Sequence, residues 1–104
     1  MKTNKLRGHA LNWAVARCEG GVGKNQQLGA WYSPSTDWSQ GGPIIEREKI
    51  GVVTSPDDAN VWVGSMLEPD WKFNCAGTTP LIAAMRCYVA SKLGDEVEIP
   101  AELK

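Results

Sequence analysis

The segment from residue 31 to residue 50 contains most of the side chains that could bind a ligand. Its aromatic faces can stack a planar ring, and its hydroxyls and carboxylate can bond to ribose. Gly42 lets the main chain approach a bulky group, and Arg47 would meet a phosphate. This combination predicts a nucleotide-like ligand, with Thr78 adding a contact. The predicted ligand-binding residues are Trp31, Tyr32, Ser35, Thr36, Asp37, Trp38, Gly42, Arg47 and Thr78.

The same segment also has a purely architectural interpretation. Ser35, Thr36 and Asp37 have short polar side chains that can satisfy their own backbone in a capped turn. Trp38 can then anchor the core, and residues 46–49 form a solvated charged face. The residue types leave both interpretations open, because each accounts for the same side chains.

The other reactive residue types form no recognisable metal-binding or catalytic pattern. The cysteines Cys18, Cys75 and Cys87 are odd in number, and no two have the Cys-x-x-Cys spacing. We therefore expect reduced, buried thiols and neither a disulfide nor a metal site. Asp37 and Glu46 could meet as the two carboxylates of a nucleotide hydrolase, which is the enzymatic alternative. We predict instead that the protein is not an enzyme and needs no cofactor.

Length and charge restrict the class of protein. A chain of 104 residues fits a single domain, residues 1–104. Eleven Lys and Arg against twelve Asp and Glu leave a formal net charge of −1, so we expect no direct contact with nucleic acid. The longest apolar run, residues 81–85, is much shorter than the roughly 20 residues of a membrane span. No secretory signal is visible, so we expect no membrane association and a cytoplasmic location.

Two helices are predicted to flank the ligand-binding segment. Apolar residues recur at the spacing of one buried helical face from Leu11 to Cys18, which predicts an N-terminal helix over about 8–19. A longer C-terminal helix over about 80–93 has Thr79 as its N-cap. It is apolar around most of its circumference, which predicts burial on more than one side. Such a helix lies either at the centre of the fold, on a sheet, or in a subunit interface.

Between the two helices the pattern becomes typical of strands. The stretches 50–54 and 61–63 are the main candidates, and 71–73 and 97–99 are further ones. A short helix is predicted near 42–48. The predicted architecture is α+β, with a small antiparallel sheet packed against the N-terminal and C-terminal helices.

Three long stretches of the sequence carry a family resemblance. The first is 32–48, which begins Tyr-Ser-Pro-Ser-Thr-Asp-Trp-Ser-Gln-Gly-Gly-Pro. The others are the helical stretches 11–20 and 79–94. Together they resemble the phage NinX-like family, known from the nin regions of lambdoid phages. Since they extend over nearly the whole length of the chain, the resemblance implies a phage accessory protein.

The resemblance also implies a class of function. A small phage protein with a Pro-Ser-x-Asp turn before a short helix is similar to the phage anti-defence proteins that hold cyclic or ADP-ribose-derived immune signals without turnover. By this analogy, we expect a homo-oligomer in the host cytoplasm that sequesters a nucleotide-derived ligand. The family's gene neighbourhood implies an alternative, a protein-interaction module that acts on a host or phage partner in replication or recombination.

Overall fold

The computed structural model describes residues 2–21, 32–66 and 75–100 of the chain. These residues form three α-helices and a three-stranded antiparallel sheet, which confirms the predicted α+β class. No helix in these ranges is long and apolar enough to cross a membrane. In chain order the elements are a 3-10 helix at Thr3–Lys5, α1 at Gly8–Cys18, α2 at Trp38–Glu48, β1 at Ile50–Thr54, β2 at Trp62–Met66, β3 at Cys75–Gly77 and α3 at Pro80–Leu93.

Helix α3 lies at the centre of the fold, with the bounds that the sequence predicts. The Thr79 hydroxyl accepts a hydrogen bond from the Ile82 amide at 3.1 Å and caps its first turn. The helix packs against all three strands, both other helices and the 3-10 helix. Because one chain covers α3 on so many sides, its apolar circumference is explained without a subunit interface. Its buried residues are Leu81, Ala83, Ala84, Met85, Cys87, Tyr88, Val89 and Ala90.

Helix α1 confirms the predicted N-terminal helix. Its apolar face packs against α3, where Leu11, Ala14 and Val15 are fully buried. Trp13, beside them in the chain, is only 1% exposed and is one of the largest buried side chains. The hydrophobic spacing predicted burial of Leu11, Ala14 and Val15 correctly, but the helix is buried around more of its circumference than a single face, at every position from 10 to 16.

Two glycines let α3 approach the sheet very closely. β2 is the central strand, and it carries Gly64, while Gly77 lies on the neighbouring β3. A Cβ atom at Gly64 would lie 2.7 Å from the Ala83 carbonyl oxygen, and one at Gly77 would lie 2.6 Å from the Ala83 amide nitrogen. Neither distance leaves room for a methyl group, so helix backbone lies directly on sheet backbone here.

Helix α2 is longer than the predicted short helix near 42–48. The Asp37 carboxylate accepts a hydrogen bond from the Ser39 amide at 2.9 Å and caps a helix that begins at Trp38. This cap starts the helix before its two glycines, which continue it, and Pro43 lies inside it. The prediction placed the start too late because it did not use Asp37 as the N-cap of this helix.

The predicted strand at 97–99 is wrong. In this part of the described chain the structure has an isolated bridge between Lys2 and Glu96 in place of a strand. Val97 and Ile99 are 7% and 5% exposed, so their side chains join the core although their main chain is not part of the sheet. The predicted strand at 71–73 lies outside the described residues. β3, at Cys75–Gly77, was not anticipated from the sequence.

The substitution Gly64→Ala is expected to lower the free energy of unfolding by about 2–3 kcal/mol, because the added methyl group meets helix backbone that cannot move aside. Gly51→Ala is the matched control in β1, where the same methyl group would lie 3.5 Å from the Ser65 hydroxyl oxygen. We expect it to change stability by less than about 1 kcal/mol. Urea unfolding followed by circular dichroism measures both variants, and equal effects would contradict the close backbone contact.

Candidate functional site

The predicted ligand-binding segment forms a tight turn followed by the first turn of α2. The amides of Thr36 and Asp37 both donate to the Ser33 carbonyl oxygen, at 3.1 Å and 2.8 Å. The Ser33 amide donates in turn to the Gln40 side-chain oxygen at 2.5 Å. These bonds close the turn onto the helix that follows it. Trp31, the first predicted site residue, lies outside the described residues.

Ser35 lies in the interior of the protein. It is 1% exposed, and its amide and hydroxyl donate to the Asn12 side-chain oxygen at 3.0 Å and 2.7 Å. Asn12 is itself buried on α1. The pair ties the turn to α1, so the Ser35 hydroxyl serves the fold at this position. The signal for this role was a polar residue within the apolar helix, which the sequence prediction did not use.

Asp37 has one carboxylate oxygen engaged. Its Oδ1 accepts from the amide and the hydroxyl of Ser39, at 2.9 Å and 2.6 Å. Its Oδ2 forms no hydrogen bond or ion pair with the described residues, and a carboxylate can accept several more hydrogen bonds. The neighbouring Thr36 side chain is exposed, and its hydroxyl makes only a long 3.5 Å contact with the Ser33 carbonyl. A ligand hydroxyl could therefore reach both side chains.

Trp38 projects from the first turn of α2 and is 56% exposed. Residue 42, one turn later on the helix, is a glycine. A Cβ atom there would lie 4.0 Å from Cε3 of the indole, so any side chain would lie against the ring. Gly42 thus leaves the indole of Trp38 uncovered on that side.

The structure does not bring Arg47 and Thr78 to this surface. Trp38 and Arg47 are nine residues apart on one helix, which places them on opposite sides and about 14 Å apart along the axis. The same spacing separates Asp37 from Glu46, the two carboxylates of the enzymatic alternative. Thr78 follows β3 and lines a cavity to which no residue of α2 contributes. Tyr32 is half-buried and packs against the hydrophobic core.

Arg47 is the centre of a charged network that joins the ends of the three helices. Its Nη1 and Nη2 donate to the two carboxylate oxygens of Glu19, at 3.1 Å and 2.5 Å, and its Nε donates to Glu48 at 2.8 Å. The Tyr88 hydroxyl donates to the same Glu19 carboxylate. Lys92 adds an ion pair with Glu48 at 3.9 Å.

This network neutralises the charge of Arg47. The hydrogen bonds from Arg47 lower the pKa of the Glu19 carboxyl more than burial raises it. Burial, together with the bond to Glu19, raises the pKa of Tyr88. Two carboxylates already accept from the guanidinium, so a phosphate would have to displace them. Sequence analysis missed Glu19 and Tyr88 because they are far from Arg47 in the chain.

The cysteines are present as free thiols. Burial raises the pKa of Cys18 and of Cys87 to about 12 and also raises that of Cys75. Thiols of this kind stay protonated near neutral pH and are poor nucleophiles. In the described ranges no three His, Cys, Asp or Glu side chains are grouped closely enough to hold a metal ion.

The chain matches a known protein family. The family model described as "Bacteriophage P22, NinX" matches residues 2–92, which include α1, α2, the whole sheet and all of α3 except its last residue. No curated protein matches the chain with significance.

Glu19→Gln is expected to destabilise the protein at neutral pH but not in acid. Because the folded-state pKa of Glu19 is lowered from its ordinary value of 4.5, the ionised carboxylate stabilises the fold above that value. The contribution disappears as the pH falls through the lowered pKa. We expect a loss on the order of 1 kcal/mol or less, because the ion pair is solvent-accessible.

Urea unfolding of the wild type and of this variant between about pH 2 and about pH 7 measures the difference. Glu46→Gln, at an exposed position on α2 outside the network, is the matched control. A Glu19→Gln effect that did not change with pH would show that the charge is not what stabilises this junction.

Proposed function

We propose a function from one premise: the chain belongs to the bacteriophage P22 NinX family, whose model matches most of its length. It is therefore a phage accessory protein. In that role it binds a nucleotide-derived host immune signal, of the cyclic-nucleotide or cyclic ADP-ribose type, in the host cytoplasm. It holds this signal without turnover, so it acts by sequestration and is not an enzyme.

The observation that carries this proposal is the exposed indole of Trp38. Most tryptophans bury their large apolar surface, yet this ring is 56% exposed at the start of α2. Glycine at position 42 leaves it uncovered on one side. A purine or pyrimidine ring can stack on such an indole, and stacking of this kind is worth about 1–3 kcal/mol per base.

Two polar groups beside the indole support a ribose contact. Asp37 offers Oδ2, which forms no hydrogen bond with the described residues, and Thr36 offers an exposed hydroxyl. Arg47 is excluded from the same ligand contact by its position on the far side of α2. The proposed contact set within the described chain is therefore Thr36, Asp37, Trp38 and Gly42.

Binding without turnover is supported by the arrangement of the carboxylates on α2. Asp37 and Glu46 lie on opposite sides of the helix and cannot meet at one scissile bond.

The exposed indole of Trp38 supplies only one wall for a planar ligand. We therefore propose that a second copy of the chain supplies the other wall, which makes the binding species a homo-oligomer.

A thermal-shift screen against cyclic dinucleotides, cyclic trinucleotides and cyclic ADP-ribose isomers tests this function. A ligand at about 100 times its dissociation constant adds about 2.7 kcal/mol, which raises the melting temperature of a domain this small by on the order of 10 °C. The bound molecule, released by heat and analysed by mass spectrometry, should be unchanged. No shift across the panel, or a converted ligand, would overturn sequestration.

Three variants locate the site once a ligand is found. Trp38→Ala should weaken binding about tenfold or more and leave the melting temperature nearly unchanged, because the ring is exposed. Gly42→Leu keeps the indole but covers it, so it should weaken binding as well. Asp37→Asn replaces the free carboxylate oxygen but keeps a good N-cap residue. We therefore expect it to weaken ligand binding without lowering the melting temperature. Unchanged affinity in Trp38→Ala would move the site elsewhere.

A second candidate function is a protein-interaction module for a host or phage replication or recombination partner. The observation that favours it is Val53, which is 61% exposed on β1, an edge strand of the sheet. An exposed apolar residue on a strand edge is suited to pairing with an added strand. This surface is distinct from the indole of Trp38.

Capture of a partner from nuclease-treated host lysate tests this second function. Val53→Lys should abolish capture of the specific partner, because a charge on the strand edge opposes pairing. Val53→Thr, which keeps the branched shape, should retain most of it. Equal capture by the two variants would exclude the edge of β1 as the docking surface. Neither substitution should change the ligand-induced thermal shift, because Val53 is not part of the surface around Trp38.

A further inference from the structure

A cavity of about 430 Å³ opens beside β3, separate from the surface around Trp38. Its walls come from the 3-10 helix, β3, Val61 and α3. The polar side chains that line it are those of Asn4, Thr78 and Arg86, with the thiol of Cys75 beside them. These groups give the cavity three kinds of hydrogen-bond donor: an amide, a hydroxyl and a guanidinium.

The guanidinium of Arg86 is held in place by main-chain carbonyls. Its Nε donates to the Leu6 carbonyl oxygen and its Nη1 to the Ala76 carbonyl oxygen, both at 2.7 Å. These bonds use two of its five N–H donors and fix the plane of the group. Nη2, with its two N–H donors, has no acceptor among the described residues.

Arg86 also lacks a counter-ion within the described parts of the chain. Among the described residues no carboxylate forms an ion pair with it, in contrast to Arg47. Burial of a charge without a partner is costly, and this desolvation lowers the pKa of Arg86, with the positive charge of Arg7 acting in the same direction. Burial raises the pKa of Cys75 more than the positive charge of Arg86 lowers it, so the thiol stays neutral near pH 7. The cavity wall therefore carries a positioned positive charge that none of its described lining residues neutralises.

We propose that this cavity binds a small phosphate-bearing anion through Arg86. The planar fork of the guanidinium matches two phosphate oxygens, and the Thr78 hydroxyl and the Asn4 amide are the further donors. A phosphate group occupies a small part of a cavity of about 430 Å³, so a phosphate monoester with an attached organic group also fits. This site is independent of the proposed function, which rests on Trp38.

A nuclear magnetic resonance titration of the full chain tests the site. The probes are inorganic phosphate and glycerol 3-phosphate, each compared with chloride at equal ionic strength. We expect saturable shifts at the backbone amides of residues 75–78 and at the Arg86 side-chain Nε–H. Tighter binding of the ester than of inorganic phosphate would identify an organic phosphate as the ligand, and equal binding would identify free phosphate. Shifts that do not saturate, or that chloride reproduces, would overturn the proposal.

Two arginine variants test whether the charge of Arg86 in particular binds the phosphate. Arg86→Gln should weaken phosphate binding about tenfold or more, as expected for the loss of charge-assisted hydrogen bonds. Arg17→Gln is the control, because Arg17 lines a different cavity that Glu96 and Glu98 also line. Equal weakening in both variants would show binding to overall positive charge and not to this site.

Arg86 also donates to two main-chain carbonyls, so Arg86→Gln could fail to fold. Thr78→Val is a second variant that tests the site in that event. The Thr78 side chain is exposed, so its replacement leaves the core intact. We expect a smaller but measurable loss of phosphate affinity, of about threefold to tenfold, from one missing hydrogen bond. Unchanged affinity in this variant would remove Thr78 from the site and contradict the proposed geometry.

Discussion

Direct contact between the backbone of α3 and the backbone of the sheet is the constraint on which the rest of the structure depends. Gly64 and Gly77 lie against Ala83 with no side chain between them. A helix held at this distance cannot shift to accommodate larger neighbours, because interiors are close-packed. α1, α2 and the 3-10 helix all pack on α3, so their positions follow from this contact.

A second close approach sets the position of α2 and of the surface that we propose as the ligand site. A side chain at Gly41 would collide with the Pro34 carbonyl oxygen and with Leu81 of α3. Ser35, in the same turn as Pro34, is bonded to Asn12 of α1. The turn is thus attached to α1, and α2 lies close to both the turn and α3. What these attachments leave at the surface is the first turn of α2, where the capping carboxylate and the exposed indole lie side by side.

The two arginines that the fold orients most firmly differ in one physical respect. Arg47 has carboxylates on two sides, and its role in the described structure is to join the ends of the helices. Arg86 is oriented by carbonyl oxygens, which carry no net charge, and no described carboxylate neutralises it. The difference matters for function because an arginine whose charge is already neutralised has little to gain from a phosphate, whereas an oriented and uncompensated one does.

The sequence by itself determined the family, the α+β class, the helices α1 and α3, the strand β1 and the beginning of β2. These depend on local signals: hydrophobic spacing, the cap at Thr79 and the strand-forming residues from Ile50 onward. It also located the segment around Asp37 and Trp38. It could not divide that segment into interior and surface, since Ser35 and Thr36 are chemically similar neighbours with opposite exposure.

Only the tertiary structure decided which charges are neutralised and which apolar faces are covered. Arg47 meets Glu19 and Tyr88 across long separations in the chain, and no periodicity in a sequence encodes such contacts. The same holds for Arg86, whose partners Leu6 and Ala76 belong to different elements. The physical reason is that packing and charge pairing depend on the distance between elements, and here two glycines against α3 set that distance.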